Sequence, residues 1–468
     1  MKLCHKSFVQ YGHAVHTIKN VISGSKQFKE IPKRKGLPLI GTSLTILANG
    51  SAPKLHLHVD NGHKKLGPIF RENMGTTTAV FISDPVLMRQ VFEVEGKYPK
   101  HFLPQPWIIF NEIHKCKRGL FFMDGKEWHV HRRIMNQYFL RNDVIANLSG
   151  VHQEIVKYLI NRWKNFVGKE IPNLEHEFYR HSISFLIGSL AGSSYVKDIN
   201  FYDMYVDKLS SVFYSIFATT AELNGKPVWL MAKLSAPGWK KFETAVQNSL
   251  EACYEIVDII MKKRSSDGLL DKLLNEKLPL SAVVPIVADL ILAAGDTTAI
   301  TSQWSLYLLS GRKDVQNALL NGDIDVKSVV KETLRMYPPA IFISRMIPED
   351  TNISGYILSE GEMVLLSLYT AGRNDDIYPS ANSFKPERWM RSDVGKDFEG
   401  VVDRRAYLPF AMGARACIGK ILALTQLHNT LKEIVTEFDL EFQEEVDMIL
   451  RLVPVPSKPI KIKIKSRK

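Results

Sequence analysis

Cysteine is scarce in this chain: four residues in 468, at Cys4, Cys116, Cys253 and Cys417. None stands in a C-x-x-C pair, which argues against a disulfide framework and against a structural zinc site built on thiolates. No G-x-G-x-x-G follows a strand pattern, so no flavin or nicotinamide domain is legible. No repeat, low-complexity stretch or Gly/Ser-rich linker divides the interior. Asp and Glu are missing from residues 1–29, which carry Lys2, Lys6, Lys19, Lys26 and Lys29 with several Ser and Thr. No apolar run in that segment approaches the ~20 residues needed to cross a bilayer, and a secretory signal's apolar core is missing too. An acid-free basic start reads as an organelle transit segment, here with Lys where Arg is usual. The expected organisation is a leader over 1–30 and one domain over 31–468, joined by the rigid connector Ile31-Pro32-Lys33-Arg34-Lys35-Gly36-Leu37-Pro38.

What is present is an ordinary globular composition, 45% hydrophobic and 24% charged, with ample material for a large core. Lys and Arg number 61 against 49 Asp and Glu, so the formal charge is 61 − 49 = +12. A basic excess suits an acidic protein or an anionic membrane. The cations are scattered and no aromatic-basic motif accompanies them, which sets nucleic acid aside. The apolar run from Ser281 to Gly311 is interrupted by Pro285, Asp289 and Asp296. Charges inside lipid cost on the order of 2.5–3.5 kcal/mol each, so this run is expected to be a buried core helix.

The most informative stretch is Phe410-Ala411-Met412-Gly413-Ala414-Arg415-Ala416-Cys417-Ile418-Gly419, followed by a helical pattern over 421–431. Cys417 thus enters a helix amino terminus, where N–H groups and the helix dipole favour a thiolate. Gly413 permits a tight turn, Gly419 permits close approach of a flat ligand, and Arg415 suits an anionic ligand group. These residues resemble the haem-binding loop of the cytochrome P-450 family, F-x-x-G-x-R-x-C-x-G, without a mismatch. The resemblance covers residues 31–468 and implies a mainly α fold with small β-sheets. Cys417 is then the axial ligand of a haem b iron, and the activity is that of a haem-thiolate monooxygenase. Phe410, Gly413, Arg415 and Gly419 complete the haem contacts of the loop.

Other landmarks stand in the family's order. Glu332-Thr333-Leu334-Arg335 resembles its E-x-x-R helix, whose i,i+3 spacing puts acid and base on one face. Pro386-Glu387-Arg388-Trp389 resembles the loop that supplies Arg388 as third partner. Trp128-His129-Val130-His131-Arg132 resembles W-x-x-x-R, with Trp128 and Arg132 aimed at a haem propionate. Arg345, within the strand-like 340–347, resembles a further propionate partner. Residues 460–465 alternate as a terminal strand with one polar face.

Ala293-Ala294-Gly295-Asp296-Thr297-Thr298 resembles the oxygen-activating segment. Its usual glycine is Ala294 here, and glycine comes one place later at Gly295, a change expected to shift the local helix distortion. The resemblance implies a proton relay through Asp296 and Thr297; a threonine bonded back to its own helix is the bland alternative. The substrate pocket is expected to draw on Phe102, Trp107, Phe110, Asp289, Leu290, Ala293, Ile341 and Phe342. Asp289 reads equally as an acceptor for a sterol hydroxyl and as a satisfied structural carboxylate.

Glu95-Gly96-Lys97-Tyr98-Pro99, Gly119-Leu120-Phe121-Phe122-Met123-Asp124-Gly125 and Leu408-Pro409-Phe410-Ala411-Met412-Gly413 resemble the insect mitochondrial branch, most of all its ecdysteroid 2-hydroxylase. This implies hydroxylation of a steroid, 2-deoxyecdysone to ecdysone, with O2 and electrons from an adrenodoxin-like ferredoxin and its reductase. It also implies peripheral attachment to the matrix side of the mitochondrial inner membrane. Lys327, Lys331, Arg404, Arg405 and Lys420 form the expected partner face. Rival readings are hydroxylation at the 22- or 20-position, a detoxifying mitochondrial oxygenase, a rearranging enzyme that needs no dioxygen, a membrane-anchored microsomal oxygenase, and a haem-thiolate sensor or electron carrier.

Overall fold

The computed structural model describes residues 28–75, 77–223, 225–276, 278–391 and 400–467; residues 1–27 of the expected leader lie outside them. The longer helices are α1 (Leu55–Leu66), α2 (Pro85–Glu93), α3 (Gln105–His114), α4 (Gly125–Phe139), α5 (Ser149–Lys164), α6 (Leu174–Ala191), α7 (Ile199–Leu223), α8 (Pro237–Lys263), α9 (Leu280–Ser310), α10 (Lys313–Asn321), α11 (Val326–Met336) and α12 (Lys420–Glu437). Their starts follow local chemistry. Pro85 opens α2, and the Asp84 carboxylate accepts the Val86 and Leu87 N–H groups. Asp325 caps α11 through the Ser328 N–H at 2.7 Å.

α9 is long and apolar enough to cross a membrane, yet it is the core helix, packed by α6, α8, α11 and α12. Trp304 seals its far end, stacked on Tyr337 at 3.9 Å and donating to the Pro454 carbonyl at 2.8 Å. α9 runs unbroken through Gly295. A Cβ at Gly295 would come 2.9 Å from Phe213 and 3.4 Å from Ile183. The glycine instead lets α9 close on α7 and α6.

The strands are β1 (Ile69–Met74), β2 (Thr77–Ile82), β3 (Phe342–Met346), β4 (Thr351–Ile353), β5 (Tyr356–Leu358), β6 (Met363–Ser367), β7 (Phe438–Phe442), β8 (Met448–Arg451), β9 (Val453–Pro456) and β10 (Ile462–Ser466). The largest sheet has the order β1-β2-β6-β3, parallel only between β2 and β6. Alternation along β3 sends Ile343 and Arg345 to one face and Phe342, Ser344 and Met346 to the other. Phe342 therefore packs on Phe81, 5.9 Å between ring centroids, in the cluster with Phe70 and Met363. This corrects its expected place in the substrate pocket. The terminal strand is β10, paired antiparallel with β7, with Ile462 and Ile464 buried.

Candidate active site

The loop carrying Cys417 is a compact turn. The Phe410 carbonyl accepts the Cys417 N–H at 2.9 Å, and the Gly413 carbonyl accepts that of Ala416 at 3.2 Å. Gly413 has φ +79°, a conformation that favours glycine. Burial pushes the Cys417 thiol up, while the Gly419 N–H and the charges of Arg132 and Lys420 favour the thiolate. The expected help from the helix start is present but smaller than the cost of burial; binding a metal ion deprotonates a thiol outright. The cysteine is accessible nonetheless. So are Ala293 and Thr297, mid-way along α9 beside buried Leu292, Gly295 and Asp296.

Cationic groups converge around the loop. Arg132, buried on α4, donates to the Ala416 carbonyl at 2.5 Å and to Asn136 at 2.8 Å. Arg415 lies 4.2 Å over the Trp128 ring and donates to the carbonyls of Pro99 and Met123 at 2.5 and 2.7 Å and to Asp124 at 2.7 Å. Burial pushes Arg415 down to about 10. Arg345 pairs with buried Glu95 at 2.6 Å. Two participants were missed in the sequence. Glu95 was read only as a branch marker. His101 buries both ring nitrogens beside the Phe121 backbone and ring. Burial, then the charges of Arg415 and Arg345, push it down to about 4.

Glu332, Arg335 and Arg388 come together in one buried group. Glu332 is fully buried and takes Arg335 at 2.7 and 2.9 Å and Arg388 at 2.9 Å. Trp389 Nε1 at 2.8 Å and the Lys385 N–H at 2.9 Å complete its set of donors. Each lone pair has a donor, the condition under which a buried charge is tolerable.

On α9 the acid and the alcohol diverge. The Thr297 hydroxyl donates to the Ala293 carbonyl at 3.1 Å. Asp296 turns to α6, where Tyr179 donates to it, and its second oxygen has no partner among the described residues. Burial pushes Asp296 up to about 7, against the Tyr179 hydrogen bond and with the help of Glu175. The structure does not join the two in a hydrogen bond.

Asp289 is taken: Arg118 donates to it at 2.6 and 3.0 Å, and the Gly119 N–H at 2.5 Å. Arg118 in turn lies over Trp107 and Phe122 at 4.8 and 4.4 Å. Of the two readings of Asp289, the satisfied structural carboxylate matches the geometry. Trp107 and Phe110 are buried against Phe242 of α8. Phe102 is half-exposed, Leu290 is partly buried and Ile341 is buried.

The expected partner face divides. Lys327 is exposed, while Lys331 is half-buried with its ammonium 5.7 Å over Trp389. Both charges help burial hold His428 of α12 down to about 4, which brings these three groups together. Lys420 is exposed beside Cys417. Arg404 and Arg405 lie on the Arg404–Ala406 turn against α2, where Asp403 pairs with Arg405 at 2.8 Å.

The family model for cytochrome P450 matches residues 31–322 and 326–464. The chain belongs to the cytochrome P450 family. It is 36% identical, over 94% of its length and 89% of the relative's, to mitochondrial cytochrome P450 315a1 of Drosophila melanogaster. It is 26% identical to the mitochondrial cholesterol side-chain cleavage enzyme of Mesocricetus auratus, over 87% and 84% of the two chains. To the mitochondrial 1,25-dihydroxyvitamin D(3) 24-hydroxylase of Rattus norvegicus it is 25% identical, over 95% and 90%. As a P450 it is a monooxygenase with haem as its cofactor. The residues present fit that group: an accessible cysteine precedes a helix start, Ala293 and Thr297 of α9 are accessible, and neutral His101, with one donor and one acceptor ring nitrogen buried, lies within the fields of Arg415 and Arg345. Two cations with a histidine suit a flat dianion bearing two carboxylates.

Proposed function

We propose that this P450 is a mitochondrial steroid hydroxylase in which Cys417 ligates the haem iron, and that it converts 2-deoxyecdysone to ecdysone. The observation that carries the reading is Cys417, set in a ten-residue loop that matches the family's haem loop and ringed by Arg132, Arg345 and Arg415. Haem bound there supplies dioxygen activation, so that substrate C–H, O2, two electrons and two protons become C–OH and water. The chain's own residues bind, orient and move protons. Trp128, Arg132, Arg345 and Arg415 would hold the haem carboxylates, and Phe410, Gly413 and Gly419 would shape the loop that receives the ring. Glu332, Arg335 and Arg388 hold the fold. Thr297 presents its hydroxyl at the accessible face of α9. Asp296, raised by burial to about 7 and so divided between its acid and its carboxylate near neutral pH, is a proton donor one residue away that acts after turning from Tyr179. The Arg118–Asp289 pair anchors the loop before α4 to α9, and the same guanidinium lies over the Trp107 ring.

Electrons come from a separate protein, and the proposed donor is an adrenodoxin-like ferredoxin. Exposed Lys327 and Lys420 with Lys331 offer it charge complementarity, which mainly raises the on-rate. Peripheral membrane attachment is supported by two exposed apolar groups. The Ser43–Ala48 helix buries none of its residues and shows Leu44 and Leu47, next to Leu39 at 93% exposure. Trp229, Leu230 and Leu234 are exposed around Val228–Lys233. Apolar patches of this kind mark interaction surfaces.

The test supplies 2-deoxyecdysone with a mitochondrial-type ferredoxin and its reductase and identifies the product. Ecdysone is expected. Hydroxylation at carbon 22 or 20 moves the enzyme to another step. Turnover of small xenobiotics without any ecdysteroid turnover overturns the steroid reading.

A further inference from the structure

The segment Glu95–Pro99 has no chemistry in the reading above, yet it grips the cysteine loop from both ends. Glu95 is 6% exposed. Its Oε1 accepts the Ala414 N–H at 2.7 Å, and its Oε2 accepts Arg345 Nε at 2.6 Å. Four residues on, the Pro99 carbonyl accepts Arg415 Nε at 2.5 Å. A Cβ at Gly413 would stand 2.1 Å from Glu95 Oε1. The glycine of the loop is therefore needed for this carboxylate as well as for its φ of +79°. One buried carboxylate touches both the backbone three residues before Cys417 and a cation of the carboxylate-binding ring.

We propose that Glu95 is a positioning residue for the thiolate loop: it fixes the distance between the Cys417 turn and Arg345, and it offsets the Arg345 charge next to the haem. The alternative is a buried ion pair that serves the fold alone. Electrostatics separates the two. An electron added at the iron is disfavoured by a nearby anion and favoured by a nearby cation. Removing the Glu95 charge, which also leaves Arg345 uncompensated, moves the reduction potential upward. Removing the Arg345 charge moves it downward. A role in folding alone predicts no such opposed pair of shifts.

The inference rests on Cys417 as the iron ligand. The experiment uses the full-length haem-loaded enzyme and compares Glu95→Gln, Glu95→Asp, Arg345→Gln and Glu93→Gln. Glu93 is exposed at the end of α2 and gives the same charge change outside the site. Three quantities are read: the reduction potential, the rate of haem transfer to excess apomyoglobin, and the thermal midpoint. Glu95→Gln is expected to raise the potential and to speed haem loss about tenfold, the effect of ~1.4 kcal/mol. Arg345→Gln is expected to lower the potential. Glu95→Asp, which keeps the charge on a shorter stem, is expected to keep the potential near wild type while still losing haem faster. Glu93→Gln is expected to change nothing. A lowered thermal midpoint in Glu95→Gln with unchanged potential and haem retention overturns the proposal. If Glu95→Gln does not fold, Glu95→Asp still decides through its haem-transfer rate, and a wild-type rate there overturns it. Loss of the thiolate spectrum in none of these proteins, together with its survival in Cys417→Ser, would strike the ligand assignment instead.

Discussion

At the scale of single residues the two groups of the expected relay make different predictions. Thr297 is accessible, and among the described residues its hydroxyl bonds only its own helix carbonyl, so Thr297→Ala removes a hydroxyl without opening a buried network. The variant is expected to bind haem and substrate, consume reductant, and release peroxide in place of product. Hydroxylation per reductant consumed should fall by roughly 10²-fold, the lower range for general acid–base catalysis. Well-coupled turnover in that variant removes Thr297 from proton delivery. Asp296 is 2% exposed and raised by burial from 3.8 to about 7. Below pH 4 both folded and unfolded chains hold its proton, so it costs no stability. As pH rises from 4 to 7 the unfolded chain releases the proton and the folded chain keeps it, so stability falls; the full penalty stands above pH 7. Asp296→Asn keeps an acceptor for Tyr179 and removes the titration. Its thermal midpoint is expected to gain on wild type from pH 4 to pH 8, and a constant difference across that range contradicts the assignment.

At the scale of elements, α11 with the 386–389 turn is the part whose loss is most costly. Glu332 accepts from Arg335, Arg388, Trp389 and the Lys385 backbone. Glu332→Leu leaves two buried guanidinium groups without their carboxylate, at a cost of about 3–5 kcal/mol. Denaturant unfolding of the haem-loaded protein measures it, and a loss under 1 kcal/mol would show the triad to be dispensable. This element was legible in the sequence because its spacing lies within one helix and one turn. The same holds for the cysteine loop, for Trp128 and Arg132 at i,i+4, and for the apolar run that became α9. Glu95, His101 and Tyr179 were not legible as participants. Glu95 and Tyr179 each contribute one side chain to a contact far along the chain, Ala414 lying 319 positions from Glu95 and Asp296 117 from Tyr179, and His101 feels the charges of distant Arg345 and Arg415. Phe342 was misplaced because an apolar run in a strand does not say which parity faces which side. Arg345 at odd parity meets the loop, so Phe342 cannot. Asp289 was left open because its partner Arg118 lies 171 positions away.

At the scale of the whole molecule, the enzyme must meet a reductant while keeping its core closed. The two charges first expected to act alike there differ in the structure. Lys331 rests on Trp389, which itself holds Glu332, so reversing its charge disturbs the triad as well. Lys327, exposed one turn earlier on α11, gives the cleaner test. Lys327→Glu is expected to slow reduction by ferredoxin several-fold at low salt, with the difference shrinking as salt screens it, and to leave substrate affinity unchanged. A rate insensitive to both salt and this change places the docking face elsewhere. All of these expectations depend on one ligand. The most direct measurement is the reduced carbon monoxide difference spectrum of the wild type beside Cys417→Ser, Cys116→Ser and Cys253→Ser. The account predicts the red-shifted Soret band of a thiolate-ligated haem in the wild type and in the latter two, and its loss in Cys417→Ser alone. The same band in Cys417→Ser would contradict it.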